Sequence, residues 1–311
     1  MEQSTLDINA PVAPTSFEAQ PVRVNPLRRA LNGLPKPLRD PVVFTYRLSL
    51  DAFDVLLGRR DSLVPPRRLS FVGSGDYVKH GEQFLRHFKD LCDLTPDQSV
   101  LDVGCGIGRM ARPLTNYLTT GSYVGMDIVP RGILWCQRHI TRLHPNFTFQ
   151  LADIYSKEYN PGGRYQAADY RFPFPDGKFD FVFLTSVFTH MLPRDVEQYL
   201  REIARCLRPG GKCLITFFLL NETSHELLQT GKSSISFRFP LGDGCWARNA
   251  QIPEEAVAYE ESRIHSLYSQ LGLVLQAPEY GSWSGRSQFL SYQDILVAKK
   301  LEGSEISPTR H

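Results

Sequence analysis

The chain has 311 residues, of which 42% are hydrophobic, enough for one large domain or for a domain with a cap. Its 35 basic and 33 acidic residues leave a net charge of +2, which argues against a nucleic acid as the main partner. The longest apolar run, near residues 214–220, is far below the roughly 18 residues that a membrane span needs. Six scattered cysteines without a Cys-x-x-Cys pair, and no signal-peptide pattern, predict reduced thiols and a cytoplasmic protein.

The N-terminal part of the chain divides into a tail and a cap. Residues 1–40 are rich in proline and lack a hydrophobic period, which predicts a flexible tail. The cations at residues 23–39 occur without an acidic residue, so a solvated linker and a basic arm for an anionic surface both remain open. Residues 41–92 are expected to form an N-terminal helical cap, whose first helix stops at Gly58. Because lids exclude water on closing, residues 41–80 are a candidate lid.

The main domain is predicted to cover residues 93–300, followed by a tail at 301–311. Strand-like and helix-like patterns alternate in it, which predicts an α/β fold with a doubly wound, mostly parallel seven-stranded sheet. Residues 221–252 have no clear period and form an insertion, after which a helix is expected from about Pro253. A turn-rich link before the last strand predicts a C-terminal antiparallel hairpin. The first strand is expected to end at Val103, and the others to cover residues 122–126, 147–151, 179–184, 213–220, 273–276 and 289–299.

A glycine-rich loop follows the first strand directly. Residues 102–108 read Asp-Val-Gly-Cys-Gly-Ile-Gly, and glycines let a ligand approach the backbone closely. A dinucleotide fingerprint has its third glycine at the sixth position of the motif. Here that position is Arg109, and the third glycine is Gly108. The spacing therefore argues against an NAD(P) oxidoreductase.

With Asp102 in front of it, this loop resembles motif I of the class I S-adenosylmethionine (SAM) methyltransferases. SAM carries an ammonium, a carboxylate and a sulfonium but no phosphate, so an acidic side chain fits beside it. The resemblance covers about residues 70–300 and extends to the segments at 172–180, 184–191 and 207–211. These segments are similar to those of bacterial methyltransferases that modify small molecules, a family whose sheet ends in an antiparallel hairpin.

The resemblance implies that acidic residues at the ends of the next two strands hold the rest of the cofactor. Asp127 ends the second strand, where a carboxylate accepts hydrogen bonds from ribose hydroxyls; a helix N-cap is the alternative. Asp153 ends the third strand, where the family's acidic residue accepts from the adenine amino group; a plain turn aspartate is the alternative. The implied cofactor-binding residues are Asp102, Gly104, Cys105, Gly106, Gly108, Asp127, Ile128, Asp153, Ile154 and Thr185.

The segment after the fourth strand bears on the acceptor. Methyltransferases of nucleic-acid bases carry Asp/Asn-Pro-Pro-aromatic there, whereas residues 185–188 read Thr-Ser-Val-Phe, so a nucleic-acid partner is not expected. His190 is the candidate general base, with shaping of the pocket as the alternative. Trp246, Trp283 and Arg286 are candidate acceptor-binding residues, since aromatic walls and a guanidinium suit a small organic anion. Core packing of Trp283 and a solvated Arg286 are the alternatives.

The sequence therefore predicts a SAM-dependent methyltransferase that acts on a small-molecule acceptor, such as a natural product, a sugar or a lipid precursor. A non-catalytic SAM-binding module or an aminopropyl transferase on the same fold is the alternative, and an NAD(P) oxidoreductase is the weaker one. No cluster of residues has metal-ligand spacing, so no metal site is expected. The patterns predict neither the acceptor atom nor an oligomeric state.

Overall fold

A computed structural model describes the central part of the chain. The predicted tails lie outside the described residues, except for residues 36–40 and 301–302. Part of the candidate lid, residues 59–60 and 70–75, also lies outside them. The described ranges are 36–58, 61–69, 76–157 and 159–302.

Strands and helices alternate through most of the described chain. The strands are β1 (Ser99–Val103), β2 (Ser122–Asp127), β3 (Phe147–Leu151), β4 (Phe179–Leu184), β5 (Leu207–Phe217), β6 (Leu219–Leu220), β7 (Phe239–Gly242), β8 (Cys245–Ala247), β9 (Val257–Glu260), β10 (Leu273–Leu275) and β11 (Asp294–Lys300). The helices are α1 (Lys36–Leu56), α2 (Tyr77–Cys92), α3 (Ala111–Leu114), α4 (Pro130–Cys136), α5 (Pro193–Cys206), α6 (Glu222–Gln229) and α7 (Glu261–Gln270).

The main sheet has seven strands in the order β10-β11-β5-β4-β1-β2-β3. Strands β1 to β5 are parallel to one another, and β11 is antiparallel to both β5 and β10. The predicted doubly wound sheet with an antiparallel C-terminal hairpin is therefore confirmed. The first four strands match their predicted bounds closely. Strands β1, β2 and β4 are covered on both faces and appear as mostly apolar runs, whereas β3 lies at the sheet edge and alternates buried and exposed residues.

The fifth strand begins earlier than predicted. It starts at Leu207 instead of Cys213 and includes the Arg-Pro-Gly-Gly segment that the prediction treated as a stop. Phe179 pairs with Leu207, but Phe181 pairs with Lys212, so the residues between bulge away from β4. A bulge leaves backbone groups out of the ladder, which lets a proline lie within the strand.

The insertion at residues 221–252 contains α6, β7 and β8 and belongs to a second sheet, in the order β6-β9-β8-β7. The predicted helix from Pro253 is wrong at its start. Residues Pro253–Glu255 form a single 3-10 turn, Val257–Glu260 form β9, and α7 begins only at Glu261. Strand β9 pairs with β6 on one side and β8 on the other, and this long-range pairing overrides the local helical spacing.

The first helix begins at Lys36, so the predicted boundary between tail and cap falls inside α1. Pro37 lies in its first turn, where a backbone N–H has no intrahelical partner. Pro41 removes one hydrogen bond from the helix without ending it. Among the described helices, none is long and apolar enough to cross a membrane.

Candidate cofactor and acceptor site

The carboxyl ends of β1, β2, β3 and β4 bring the predicted cofactor residues to one edge of the main sheet. Val103 pairs with Met126, and Asp127 pairs with Leu151. Because these strands are parallel, the segments that follow them leave from the same edge. In open α/β sheets this edge is where ligands bind.

The glycine loop depends on the backbone freedom of glycine. Gly104, Gly106 and Gly108 have φ values of 85°, 59° and 80°, a region that other residues rarely adopt. A Cβ on Gly108 would lie 2.7 Å from Ile140 Cδ1, so this glycine also lets the loop pack on the helical segment after β2. The O–H of Tyr77, at the start of α2, donates to the Ile107 carbonyl at 3.0 Å. The loop is therefore packed from two sides.

Asp127 holds the glycine loop from the end of β2. Its Oδ2 accepts the backbone N–H of Gly106 at 2.7 Å, and its Oδ1 accepts that of Val129 at 2.8 Å. Burial raises the pKa of this carboxyl, and the hydrogen bonds from backbone amides oppose the shift. The contact with Val129 is a turn contact two residues along the chain and not a helix N-cap, because Val129 is itself the N-cap residue of α4 and has no side-chain capping bond. The contact with Gly106 is one that the sequence did not reveal.

Asp102 lies inside β1, and its side chain is buried. Its Oδ2 accepts the O–H of Tyr123 at 2.6 Å, while its Oδ1 finds no hydrogen-bond partner among the described residues. Burial, with the neighbouring charge of Asp127, raises the pKa of Asp102 to about 8. A buried carboxyl oxygen without a protein partner, next to the glycine loop, has hydrogen-bonding capacity left for a ligand.

Asp153 follows β3 and forms an ion pair with Arg164, whose backbone N–H also donates to it at 3.3 Å. The hydrogen bond from the Arg164 side chain lowers the pKa of Asp153. Its neighbour Ile154 is buried and bridges to Tyr165. The long link between β3 and β4 therefore folds back onto the site that the resemblance assigned to adenine.

The other implied cofactor residues differ in exposure. Cys105 is buried, and a Cβ on Gly125 of β2 would lie 2.9 Å from its Sγ. Ile128 and Thr185 are only partly buried, at the ends of β2 and β4. All six cysteines are buried free thiols.

The segment after β4 contacts the glycine loop. A Cβ on Gly104 would overlap Val187 Cγ2, so the two loops touch through this glycine. Ser186 has φ 58°, which is unusual for a residue other than glycine. Its backbone N–H donates to Thr216 Oγ1 at 2.8 Å, which helps to hold this conformation.

Gln293, which the sequence analysis did not single out, braces the same segment. Its Oε1 accepts the hydroxyls of Ser186 at 2.9 Å and Thr216 at 2.7 Å. Its Nε2 donates to Thr189 Oγ1 at 3.3 Å. A single glutamine just before β11 has no motif around it, so only the fold reveals this contact.

His190 ends the 3-10 turn Phe188–His190 and is partly buried. Its Nδ1 lies 2.9 Å from the Glu254 carbonyl oxygen. A carbonyl oxygen only accepts, so this contact assigns the proton to Nδ1 and leaves Nε2 as the acceptor nitrogen.

The candidate tryptophans lie in or beside a core cluster of the second sheet. Trp283 is fully buried, and its indole N–H donates to Asp294 Oδ2 at 2.7 Å, as in the core-packing alternative. Trp246 is partly buried on β8 and packs against the same cluster. Asp294 also accepts the backbone N–H groups of Leu219 and Gly281, each at 2.7 Å, and burial raises its pKa to about 6.

Arg286 lies on an open cleft of about 510 Å³ beside α6 and α7. Its guanidinium stacks 4.1 Å from the centre of the Tyr280 ring, and its Nη2 donates to Asn221 Oδ1 at 3.1 Å. The lining is more polar than the aromatic pocket that the sequence predicted, and includes Asn221, Glu260, Glu261, His265, Tyr280 and Arg286.

Strand β9 connects this cleft to the segment of His190. The O–H of Tyr259 donates to the Met191 carbonyl at 2.6 Å, and the next residue, Glu260, lines the cleft. Within the described residues, no group of three or more His, Cys, Asp and Glu side chains is placed to hold a metal ion.

A family model described as a methyltransferase domain matches residues 101–215, from β1 to near the end of β5. Residues 101–215 belong to the class I SAM-dependent methyltransferases. The cofactor of this methyltransferase domain is SAM. The match includes the glycine loop, Asp127, Asp153 and His190, and ends before the second sheet.

Two curated relatives share about half of this chain. The chain is 37% identical over 152 residues to the fatty-acid O-methyltransferase of Mycolicibacterium smegmatis, covering 49% of this chain and 48% of that protein. It is 31% identical over 144 residues to phosphoethanolamine N-methyltransferase 3 of Arabidopsis thaliana, covering 46% of this chain and 26% of that protein. The chain thus matches only 26% and 48% of the length of these relatives.

A solved structure shares the fold of the methyltransferase domain. The PH0226 protein from Pyrococcus horikoshii OT3 superposes with a TM-score of 0.50 at 19% sequence identity, covering 75% of this chain and 95% of that one. At this identity the likeness describes the fold alone.

Proposed function

We propose that the chain transfers a methyl group from SAM to a small-molecule acceptor bound at the carboxyl edge of the main sheet. The observation that carries this proposal is the contact between Gly104 and Val187. It places the loop that the family uses for the cofactor against the segment that ends in His190. The methyl donor and the acceptor would therefore bind next to each other at the carboxyl edge of the main sheet.

The proposed cofactor residues have hydrogen-bonding capacity left. Each oxygen of the Asp127 carboxylate accepts one backbone amide and keeps a second lone pair, which suits a ribose hydroxyl. The Oδ1 atom of Asp102 would receive the donor that it lacks among the described residues. Asp153 would turn from Arg164 toward adenine or share its two oxygens between them.

When bound, SAM supplies a methyl group attached to a sulfonium sulfur. In-line attack on the methyl carbon would release that sulfur as a neutral thioether. The contribution of the chain is mostly alignment, for which well-oriented reactions gain about 7–11 kcal/mol at best. His190 would accept a proton at Nε2 if the acceptor must lose one, a role that adds about 10²–10⁴-fold. Its Nδ1 contact to Glu254 would fix the ring and the tautomer for this step.

We propose that the acceptor carries an anionic group and that Arg286 binds it. A guanidinium binds a carboxylate or a phosphate in bidentate fashion, and stacking on Tyr280 keeps its plane fixed. The relatives support this class, since a fatty acid and phosphoethanolamine each carry such a group. Among the acceptors that the sequence predicted, a lipid precursor therefore fits best.

The first test compares ligands by the heat stability of the full chain. SAM and S-adenosylhomocysteine are expected to raise Tm, whereas NAD⁺ is not. A larger shift with decarboxylated SAM than with SAM would favour the aminopropyl transferase, and a shift with NAD⁺ alone would contradict the proposal.

The second test measures transfer of a radioactive methyl group from SAM. A panel of fatty acids, phosphoethanolamine, phenols and sugars separates the acceptor classes. Transfer to an anionic lipid precursor is the expected result, and SAM binding without transfer to any class would favour the non-catalytic module.

A further inference from the structure

The segment after β4 begins in an unusual backbone conformation. Ser186 has φ 58° and an exposed side chain. This region suits glycine, and another residue stays in it only where its surroundings hold it there. The 3-10 turn Phe188–His190 follows, and its last residue is the candidate general base. The backbone at Ser186 therefore sets the position of this turn and of His190.

The side chain of Gln293 holds this segment through three hydrogen bonds. Its Oε1 accepts the hydroxyl of Ser186 at 2.9 Å, and its Nε2 donates to Thr189 Oγ1 at 3.3 Å. The same Oε1 accepts the hydroxyl of Thr216 at 2.7 Å. Thr216 Oγ1 in turn accepts the backbone N–H of Ser186 at 2.8 Å. One side-chain amide thus fixes the segment both before and after Val187.

Burial makes these hydrogen bonds costly to lose. Thr189 and Thr216 are each only 1% exposed, so water cannot readily replace the amide of Gln293. A buried hydroxyl that loses its partner costs more free energy than the hydrogen bond itself contributes. Gln293 directly precedes β11, which pairs with β5 and β10, so its backbone is held by the main sheet. The amide is therefore a firm support for residues 186–189.

We propose that Gln293 is a positioning residue for methyl transfer, because its side-chain amide holds Ser186 at positive φ and thereby places His190 beside the acceptor. The Glu254 carbonyl, 2.9 Å from Nδ1 of His190, holds the imidazole ring. Gln293 is not a reacting group, so its effect passes through residues 186–190. This inference rests on the proposed function, since His190 meets an acceptor only if the chain transfers a methyl group.

The other contacts of the site predict which kinetic constant changes. Asp127 and Tyr77 hold the glycine loop, and Tyr280 holds the guanidinium of Arg286. None of these contacts involves Gln293. Loss of its amide should therefore lower kcat, while the Kd of SAM and the KM of the acceptor change little. A residue that only stabilised the fold would lower Tm and leave all three constants of the folded protein unchanged.

The first test compares two replacements of similar length. Gln293→Met keeps none of the three hydrogen bonds and should lower kcat by about 10–100-fold, because a small misplacement of a reacting group is costly. Gln293→Glu keeps an oxygen that accepts both hydroxyls, and Thr189 can donate to the other oxygen, so kcat should stay within about fivefold of the wild type. Wild-type kcat in Gln293→Met, or equal losses in both variants, would overturn the proposal.

Gln83→Met is the matched control. The Nε2 atom of Gln83 donates to the Leu290 carbonyl at 2.8 Å, so the same chemical change removes a hydrogen bond shortly before Gln293 in the chain. We expect wild-type values of kcat, KM and the Kd of SAM. A loss of kcat as large as that of Gln293→Met would assign the effect to general loosening and would contradict the proposal.

Replacing Ser186 by Gly tests the backbone strain. Glycine adopts a φ of 58° without strain, so the segment needs less support from Gln293. Adding Ser186→Gly to Gln293→Met should raise kcat at least about threefold above that of Gln293→Met alone. Ser186→Gly by itself should change kcat less than about twofold. A double variant no faster than Gln293→Met would show that Gln293 does not act through this residue.

Hydrogen exchange separates this inference from the proposed function. Without any acceptor, the amides of residues 186–191 should exchange at least about tenfold faster in Gln293→Met than in the wild type, as measured by mass spectrometry. Methyl transfer by the wild type together with unchanged exchange in the variant would overturn the inference alone. Absence of methyl transfer to any acceptor would overturn the proposed function, and the exchange rates would still show whether Gln293 holds the segment.

Discussion

The carboxylate of Asp127 accepts a hydrogen bond of 2.7 Å from the backbone N–H of Gly106. This contact joins the end of β2 to the turn that follows β1, so the cofactor loop is held by a side chain from the neighbouring strand. The same carboxylate is proposed to bind ribose. A change at Asp127 would therefore affect both the loop and the ligand.

Replacing Asp127 by Ala is expected to weaken SAM binding by about 1.5–3 kcal/mol, the range for a hydrogen bond to a charged group. Isothermal titration calorimetry measures this directly. Asp97→Ala is the matched control, since Asp97 is exposed and precedes β1 at the other edge of the sheet. Unchanged affinity in a folded Asp127 variant would remove this residue from the cofactor site.

Replacing Gly104 by Ala should disrupt the contact between the two loops. The new Cβ would overlap Val187 Cγ2, and a φ of 85° would cost about 1–2 kcal/mol in itself. We expect a lower Tm and weaker SAM binding. Adding Val187→Ala should restore part of the loss, because it removes the overlap and leaves the backbone strain. A double variant no better than Gly104→Ala would argue against this contact.

The tautomer of His190 leads to a kinetic prediction for the proposed acceptor. His190→Gln should lower kcat by about 10²–10⁴-fold if the acceptor loses a proton, with little effect on SAM affinity. Asn249→Gln, a change of similar size on the nearby loop, is the control. An acceptor that needs no deprotonation would instead leave kcat nearly unchanged and assign His190 to the shape of the pocket.

A substitution at Arg286 is expected to affect acceptor binding without affecting cofactor binding. Arg286→Ala should raise KM for the acceptor or lower kcat while SAM affinity stays constant, since only acceptor contacts are removed. Arg286→Lys keeps the charge but loses the planar stack on Tyr280, so we expect only partial recovery. If the variant lost SAM binding and acceptor binding together, or kept both, Arg286 would not be part of a separate acceptor site.

The buried Asp102 makes stability depend on pH. Its pKa is raised from 3.8 to about 8 in the fold, so the folded state holds a proton that the unfolded state releases. Its contribution to stability is full below about pH 4 and is lost as the pH rises through about 8. Urea unfolding between pH 5 and 9 should therefore show stability falling with pH, with a weaker slope in Asp102→Asn. Burial raises the pKa of Asp294 to about 6, so we expect the Asp102→Asn variant to keep part of the fall in stability with pH. An identical slope in both proteins would contradict the burial of an uncompensated Asp102.

The main sheet was predictable because the residue pattern within each of its central strands indicates a strand. Strands β3 and β4 have the bounds that the sequence predicted, since β3 alternates apolar and polar residues and β4 is apolar except for Asp180. The glycine loop was recognisable from its spacing, because the chain must take positive φ at those three positions. The residue types within each segment determine these features, so they can be predicted from the sequence alone.

The second sheet was not predictable, because its pairing is non-local. Residues Val257–Glu260 show helical spacing together with the segment that follows, but hydrogen bonds to β6 and β8 make them a strand. The burial of Trp283 depends on Asp294, eleven positions along the chain, and on no repeated pattern. Gln293 likewise acts through Ser186 and Thr189, which are remote in sequence. Such contacts arise only when the chain has folded.

The second sheet also bears on how such a protein diversifies. The family match ends at residue 215, and the second sheet begins at Leu219, whose backbone N–H donates to Asp294 of the main sheet. The residues that line the cleft beside Arg286 therefore lie outside the stretch that the methyltransferase family model matches. If Arg286 binds the acceptor as proposed, substitutions that change the acceptor can occur in one stretch of the chain while the glycine loop, in another, stays unchanged.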